Sequence, residues 1–238
     1  MTGNGNGDKP WPRVVIGMPM ERSIPQCGVW SLAQLAQLGY PLFQLPYTRV
    51  DVARNQFARD LLKSDFTHIL MLDDDHKHPP EIVERLTRWV VQDKTRMVIS
   101  AFVQRRGEPY DPCMYFPSGD GGLYSPVDFP EGLIQVRNQY GPGWVGTGAV
   151  LISREVFEKI PWPWFAYEYT KEDEYPTEDV YFSKKCIEYG IDVWVDTTVE
   201  CPHLTERFIT KELYMQYIAE HPVYVSEAME AEVLEHGS

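Results

Sequence analysis

Long apolar runs are missing from this chain. No stretch reaches the ~18 residues that a bilayer-spanning helix needs, so no membrane span is expected. The opening MTGNGNGDKPWP has no apolar core either, so a secretory leader is not expected and a cytoplasmic location is. Cysteine is scarce. The four present are Cys27, Cys113, Cys186 and Cys201, and none forms a CxxC pair. That excludes a disulfide framework and leaves small buried hydrophobes in a reducing compartment. Basic residues are the minority charge. Lys+Arg number 22 against 35 Asp+Glu, a net charge of −13. Such a chain repels a polyanion overall, which argues against broad nucleic-acid binding and leaves only a local basic groove open. No internal repeat occurs. GNGNG near the start follows no strand, so it is not a phosphate loop.

What is present is an ordinary globular composition. The 238 residues are 43% hydrophobic and 24% charged, enough for one sizeable core or two fused halves. Residues 1–11 read as a Gly/Asn-rich flexible tail. RVVIGM, residues 13–18, reads as a first buried strand. Residues 25–38 carry a helical stripe of Val29, Leu32, Ala33, Leu35 and Ala36, ended by Gly39. Residues 41–47 read as a second strand. Residues 51–62 read as a helix, with Val52, Ala53, Phe57, Leu61 and Leu62 on one face and Asp51 as its cap. HILML, residues 68–72, is a third strand. Pro80 opens a helix over 81–91, and residues 97–102 form another strand. This β-α-β-α-β-α-β alternation predicts an α/β fold with a parallel sheet and helices on both faces.

Beyond Phe102 the texture becomes rich in Gly, Pro, Tyr and Asp. Strands are expected at 133–136, 149–152 and 192–195. Helices are expected at 153–160, at 178–189 before Gly190, and at 208–219. Residues 161–176 read as an irregular loop dense in aromatics and acids. The expected organisation is a first half over 12–104, a second half over 105–210, and a C-terminal helix with an acidic tail over 211–238.

The chemistry concentrates in ILMLDDDHKHPPEI. An apolar strand that ends in Asp73-Asp74-Asp75 needs a cation or many hydrogen bonds, because unpaired buried carboxylates are costly. Oxygen donors suit Mg²⁺ or Mn²⁺, ions commonly shared with substrate phosphates. If strand alternation continues, Asp73 and Asp75 project to one side and clamp one metal, while Asp74 points the other way. Ligands of such sheets bind at the carboxyl ends of the strands. His76 and His78 flank the aspartates and read mainly as structural or supporting groups. Trp144, Trp162, Trp164, Phe165, Tyr167 and Tyr169 offer flat faces suited to sugars or bases.

These residues resemble a known group. An apolar strand ending in D-x-D after a β-α-β-α start looks like the GT-A fold of nucleotide-sugar glycosyltransferases, in particular family-2-like members of bacterial or phage-borne type. The resemblance spans roughly residues 13–205 and adds three ordered segments. They are Arg54-Asn55 in VARNQFARDLL, the glycine-rich Gly146-Thr147-Gly148-Ala149, and Thr177-Glu178-Asp179 at the start of a helix. It implies a Rossmann-type, mostly parallel sheet and a second half that binds the acceptor.

The resemblance also implies roles. The donor is a nucleoside-diphosphate sugar, a UDP-sugar first, and the metal is Mn²⁺ or Mg²⁺ held by Asp73, Asp75 and His203. Pro19, Met20, Glu21 and Arg22 lie where a base or ribose would sit. Arg54, Asn55, Asp73 and Asp74 are further nucleotide contacts. Asp179 or Glu178 takes the acceptor proton in an inverting member, its ionised form favoured by the helix N-terminus. Trp144, Gly146, Thr147, Gly148, Trp164 and Tyr167 face the acceptor, which is a glycan, a lipid or a small molecule.

Two alternatives stay open. One is a phage-type transferase acting on modified bases in DNA in the host cytoplasm, for which Arg105, Arg106, Lys184, Lys185 and Arg207 could form a basic patch. The other is a non-catalytic nucleotide-sugar-binding module that kept the fold. A carboxylate-metal nuclease would need a two-metal cluster, and only one is visible.

Overall fold

The structure is a computed structural model, and it describes residues 11–20, 24–43, 45, 47–168, 177–205 and 208–221. The described chain opens with β1 (Val14–Gly17), α1 (Gln26–Gln37), β2 (Leu42–Phe43), α2 (Val50–Lys63), β3 (His68–Leu72), α3 (Ile82–Gln92) and β4 (Val98–Phe102). Short strands follow: β5 (Met114–Pro117), β6 (Leu123–Tyr124), β7 (Leu133–Gln135), β8 (Arg137–Asn138), β9 (Gly141–Pro142) and β10 (Trp144–Val145). The remainder is β11 (Ala149–Ser153), α4 (Arg154–Lys159), α5 (Glu178–Glu188), β12 (Val193–Glu200), β13 (His203–Leu204), β14 (Phe208–Ile209) and α6 (Lys211–Glu220).

The main sheet runs β2-β1-β3-β11-β4-β12-β7. β1 pairs in parallel with β2 and β3, and β12 in parallel with β4. β11 lies antiparallel between β3 and β4, and β7 is antiparallel on the far edge. The sheet is therefore mostly parallel, with a late strand inserted where sequence order suggested that β3 and β4 would be neighbours.

Period-two alternation sorts the strand residues onto two faces. Val15, Ile69, Met71, Val150 and Ile152 pack with Ala53, Phe57 and Leu61 of α2 and with Phe182 of α5. Val14, Ile16, Leu70, Leu72 and Leu151 pack with Leu35 of α1 and with Ile82, Leu86 and Val90 of α3. Helices thus cover both faces, as an α/β fold requires.

Three local expectations need correction. The apolar stripe expected for α1 faces the sheet only in part: Leu35 is buried and Leu32 packs half-buried on the same core, but Val29, Ala33 and Ala36 are exposed, and the helix also buries Gly28 and Ser31. The reason is close approach. A Cβ on Gly28 would run into the Asp74 carbonyl oxygen, and the Ser31 hydroxyl accepts a hydrogen bond from the His78 amide at 3.1 Å. Small residues let α1 sit directly on the aspartate turn. Gly28→Ala must push helix and turn apart, a backbone clash of the kind that costs about 1–3 kcal/mol. Urea denaturation should read that loss, and a wild-type midpoint would contradict the close packing.

Asp51 is not the cap of α2. Arg49 is at the N-cap position, and Asp51 lies in the first turn, held by the Arg49 guanidinium at 2.5 Å. The last helix starts at Lys211 rather than Phe208. Thr210 caps it by accepting from the Leu213 amide at 3.3 Å, and Phe208–Ile209 pairs with His203–Leu204 instead. Residues 1–10 of the expected tail lie outside the described residues. Trp11 packs edge-on against His68, with ring centroids 5.5 Å apart.

His68 carries a pH prediction. Burial pushes its imidazole down to about 4, so it stays neutral in the fold, whereas an unfolded chain protonates near the usual 6.5. The sign follows from proton counting. Between pH 6.5 and about 4 the unfolded chain binds a proton that the folded chain refuses, so stability is full above this window and falls through it. The loss from His68 is on the order of 3 kcal/mol. Denaturation midpoints measured across that range should decline less steeply in His68→Gln than in wild type.

Candidate active site

The strand β3 ends at Leu72, and the chain turns immediately. Alternation stops there, so all three aspartates line one cleft of about 410 Å³, together with Pro19, Met20, Arg49, Arg106, Tyr167 and Glu178. Asp74 is buried, with its carbonyl oxygen against Gly28 of α1. The cleft lies at the carboxyl end of the parallel strands, where the sheet topology opens a crevice.

Register fixes Asp73. Ala149 pairs with Leu72, so Gly148 falls opposite Asp73, and its carbonyl accepts the Asp73 amide at 2.8 Å. Asp73 Oδ1 accepts from Arg54 Nη2 at 2.5 Å. Arg54 stands on α2 with its side chain only 2% exposed, and its Nη1 lies 3.6 Å from Glu178 Oε1. Burial disfavours the guanidinium charge, but Asp73, Glu178 and Asp179 outweigh it and hold Arg54 protonated more firmly than usual. Arg54 therefore braces two carboxylates from below the cleft.

Asp75 has different partners. The segment 202–204 docks beside 75–77 like a short strand: the Leu204 amide donates to the Asp75 carbonyl at 2.7 Å, and the Lys77 amide to the Pro202 carbonyl at 2.9 Å. This docking stacks the His76 and His203 rings at 4.0 Å between centroids. Asp75 Oδ1 lies 2.9 Å from His76 Nδ1, and Oδ2 lies 3.1 Å from His203 Nε2. Burial raises the Asp75 carboxyl, but the bonds from His203 and His76 more than reverse this and hold it well below the usual range. One ligand atom from each of Asp75, His76 and His203 lies within 4.8 Å of the others.

The donor set fits a divalent cation. His203 Nδ1 lies 2.9 Å from the Gln104 carbonyl oxygen, which can only accept, so Nδ1 carries the hydrogen. A backbone carbonyl behind a ligating imidazole is the usual way to orient its other nitrogen, here Nε2, which lies at Asp75 Oδ2. One carboxylate and two imidazoles suit Mn²⁺ better than Mg²⁺. His76 is thus part of the cluster, beyond the supporting part the sequence suggested. His78 braces the turn: its Nε2 lies 2.8 Å from the Asp73 carbonyl, and burial pushes its imidazole down to about 4.

A smaller cavity of about 120 Å³ adjoins the cleft, lined by Gly146, Thr147, Gly148, Asp179, Asp73 and His203, among others. Gly148 is needed there, since a Cβ would come within 3.0 Å of the His76 ring. Glu178 and Asp179 open α5. Glu178 is buried, which raises its carboxyl; Arg54 opposes that rise, and Tyr167 hydrogen-bonds to it. Asp179 Oδ1 accepts from the Val180 amide at 2.8 Å and from the Thr177 hydroxyl.

Several residues expected in the site are elsewhere. Asn55 lines neither of these cavities: its amide donates to the Asp51 and Phe165 carbonyls at 2.7 and 2.6 Å, and its oxygen accepts from the Trp164 amide at 3.1 Å. It ties the loop after α4 to α2. Trp164 is 5% exposed, with its indole N–H on the Ile160 carbonyl at 2.8 Å, so it cannot stack on an acceptor. Phe165 stacks on Phe182 in the core at 4.7 Å. Tyr167 lines the larger cleft rather than the small cavity. Trp144 is half-buried under Lys184 and lines neither. Trp162 is exposed. Glu21, Arg22 and Tyr169 lie outside the described residues.

Of the residues suggested for a basic patch, Lys184 lies over the Trp144 ring at 5.4 Å, Arg207 is outside the described residues, and three have acidic partners. Arg105 pairs with Asp111 at 2.8 Å, Arg106 with Asp75, and Lys185 with Glu188 at 3.8 Å. No helix among the described residues is long and apolar enough to cross a membrane. Arg106 was legible only as half of a basic dipeptide; nothing in the local pattern pointed it at Asp75.

Fold and site together define a GT-A-like α/β protein, with a mostly parallel sheet flanked by helices, an acidic cleft at its strand ends and a cluster of one aspartate and two histidines beside it. No family model and no curated protein matches the sequence. Among solved structures, A197 from STIV superposes with a TM-score of 0.60 at 16% identity, over 81% of this chain and 86% of that one. Glucosyl-3-phosphoglycerate synthase from Mycobacterium tuberculosis, in complex with Mn²⁺, UDP-glucose and phosphoglyceric acid, has a TM-score of 0.45 at 10% identity, over 95% and 80% of the two chains. CMP:2-keto-3-deoxy-manno-octonic acid synthetase has 0.45 at 11%, over 91% and 98%. At these identities the likeness is one of fold, and A197 carries it.

Proposed function

We propose that this protein is a metal-dependent glycosyltransferase that moves a sugar from a nucleoside-diphosphate sugar, a UDP-sugar first, to a hydroxyl acceptor. The observation that carries this reading is the cluster of Asp75, His76 and His203, whose aspartate lines an otherwise acidic cleft and whose histidines line the smaller cavity beside it. Asp73, Asp74, Asp75 and Glu178 face only Arg49 and Arg106 among the described residues lining that cleft. A diphosphate entering alone meets more negative than positive charge. With a divalent cation on Asp75, His76 and His203, the same cleft becomes a diphosphate site.

When bound, such a cation neutralises the charge that grows on the leaving diphosphate. The protein's own groups do the rest. Pro19, Met20 and Tyr167 line the donor cleft, within reach of a base or ribose. Asp73, fixed by Arg54 and by the Gly148 carbonyl, sets the cleft wall. Asp179, in the small cavity beside Gly146, Thr147 and Gly148, takes the acceptor hydroxyl's proton as the acceptor oxygen bonds to the sugar's anomeric carbon and the bond to the diphosphate breaks. Glu178 is the weaker candidate for that base, since Arg54 and Tyr167 already engage it. In this reading residues 12–104 supply most of the donor cleft, and residues 105–210 carry the acceptor cavity and the catalytic base while adding Arg106, Tyr167 and His203 to the donor side.

The test is a panel of nucleotide sugars with and without Mn²⁺, read as thermal shift and as released diphosphate. A binder stabilises the fold by mass action, so the right donor stands out. A protein that neither binds Mn²⁺ nor shifts with any donor would refute the reading.

A further inference from the structure

Arg106 holds a position no simple surface charge would. It sits in the turn after β4, and its side chain is 58% exposed at the cleft. Yet its guanidinium reaches into the cluster: Nη2 donates to Asp75 Oδ2, and Nε donates toward His203 Nε2 at 3.3 Å. These two atoms lie 3.1 Å apart in the cluster that would hold the cation. The loop that carries it is anchored on both sides. Gln104 bridges to Pro112, and Arg105 is fixed by Asp111 at 2.8 Å and by the Glu108 carbonyl at 2.9 Å.

We propose that Arg106 is a resident counter-ion of Asp75 and His203, displaced when a divalent cation binds, and that it then turns onto the donor diphosphate in the same cleft. The inference rests on the metal-dependent reading above and names a further donor-binding residue within it. The exchange is chemically consistent. A guanidinium and a divalent cation compete for the same carboxylate oxygen, and only one can hold it at full strength. Guanidinium also matches phosphate oxygens with paired N–H donors, so a displaced Arg106 has a ready partner once a diphosphate lies in the cleft. Until then it stays paired with Asp75.

The arrangement predicts effects of opposite sign in one variant. In Arg106→Ala, Mn²⁺ has no competitor and should bind about fivefold more tightly in the absence of donor, the scale of an exposed ion pair plus relieved repulsion. The same variant, saturated with Mn²⁺, should bind UDP about tenfold more weakly, because a charge-assisted hydrogen bond to phosphate is gone. Arg106→Lys should sit between wild type and Arg106→Ala in both measurements. Isothermal titration with Mn²⁺ alone, then with UDP at saturating Mn²⁺, reads both. Circular dichroism checks that the variants stay folded, as expected for an exposed loop residue.

Unchanged or weaker Mn²⁺ binding in Arg106→Ala overturns the counter-ion role. Unchanged UDP binding overturns the diphosphate role. If neither wild type nor Arg106→Ala binds Mn²⁺, the functional reading itself fails and this inference with it. If Mn²⁺ binds only once Arg106 is removed, the counter-ion role stands in its strongest form.

Discussion

Asp75→Ala is expected to abolish Mn²⁺ binding and to lower donor turnover by about a thousandfold or more, with the fold retained. The size follows from what is removed. Asp75 is the one carboxylate shared by His76 and His203, so the cluster loses its only anionic ligand. Electrostatic stabilisation of a leaving group in a preorganised site is commonly worth ~10²–10³ in rate for a single donor, and a lost cation removes more than one donor. Asp75→Asn keeps the shape and weakens binding less. The measurement is Mn²⁺ titration beside released diphosphate. If Asp75→Ala keeps wild-type turnover with Mn²⁺, the cluster has been misread and the chemistry lies elsewhere in the cleft.

Arg54→Met is expected to destabilise the protein by about 3–5 kcal/mol, the usual cost of breaking a buried pair by removing one partner. The side chain is almost fully enclosed, and it neutralises Asp73 at 2.5 Å while lying 3.6 Å from Glu178. Methionine fills the volume but leaves both carboxylates without their cation. Stability is read by urea denaturation. Adding Asp73→Asn and Glu178→Gln to Arg54→Met should recover part of the loss, because the stranded charges are then gone too. A loss below about 1 kcal/mol would mean that water reaches these groups and that Arg54 is not the brace described.

Much of this architecture was legible from the residue pattern, and the exceptions share a cause. The strand at HILML and the helices over 50–63 and 178–188 lie within a residue or two of where period two and period 3.6 put them. Those periods report how each element meets its own layer, and nothing beyond it. The insertion of Ala149–Ser153 between His68–Leu72 and Val98–Phe102 is a long-range pairing, invisible to any local window. The apolar pattern marks only Leu32 and Leu35 of the buried face of α1, because the rest of that face packs through the lack of a side chain at Gly28. In the site, Asp75 and His203 were legible by type. His76 was undervalued because the turn after Leu72 ends alternation one residue before the aspartates begin. Asn55 and Trp164 were assigned to ligands for an instructive reason. An irregular loop must still pair its backbone groups, and a polar side chain that looks functional can be spent on that need alone.

The late strand at the centre of the sheet has a consequence for how the molecule comes into being. His68–Leu72 and Val98–Phe102 emerge early in synthesis but do not touch; the gap between them is filled only when Ala149–Ser153 has been made. Asp75 waits longer still, until the chain has grown past His203 and Leu204. Synthesis must therefore run past Ser153 before the central strands can close, and no nascent chain that stops short of His203 can bring the two stacked histidines together.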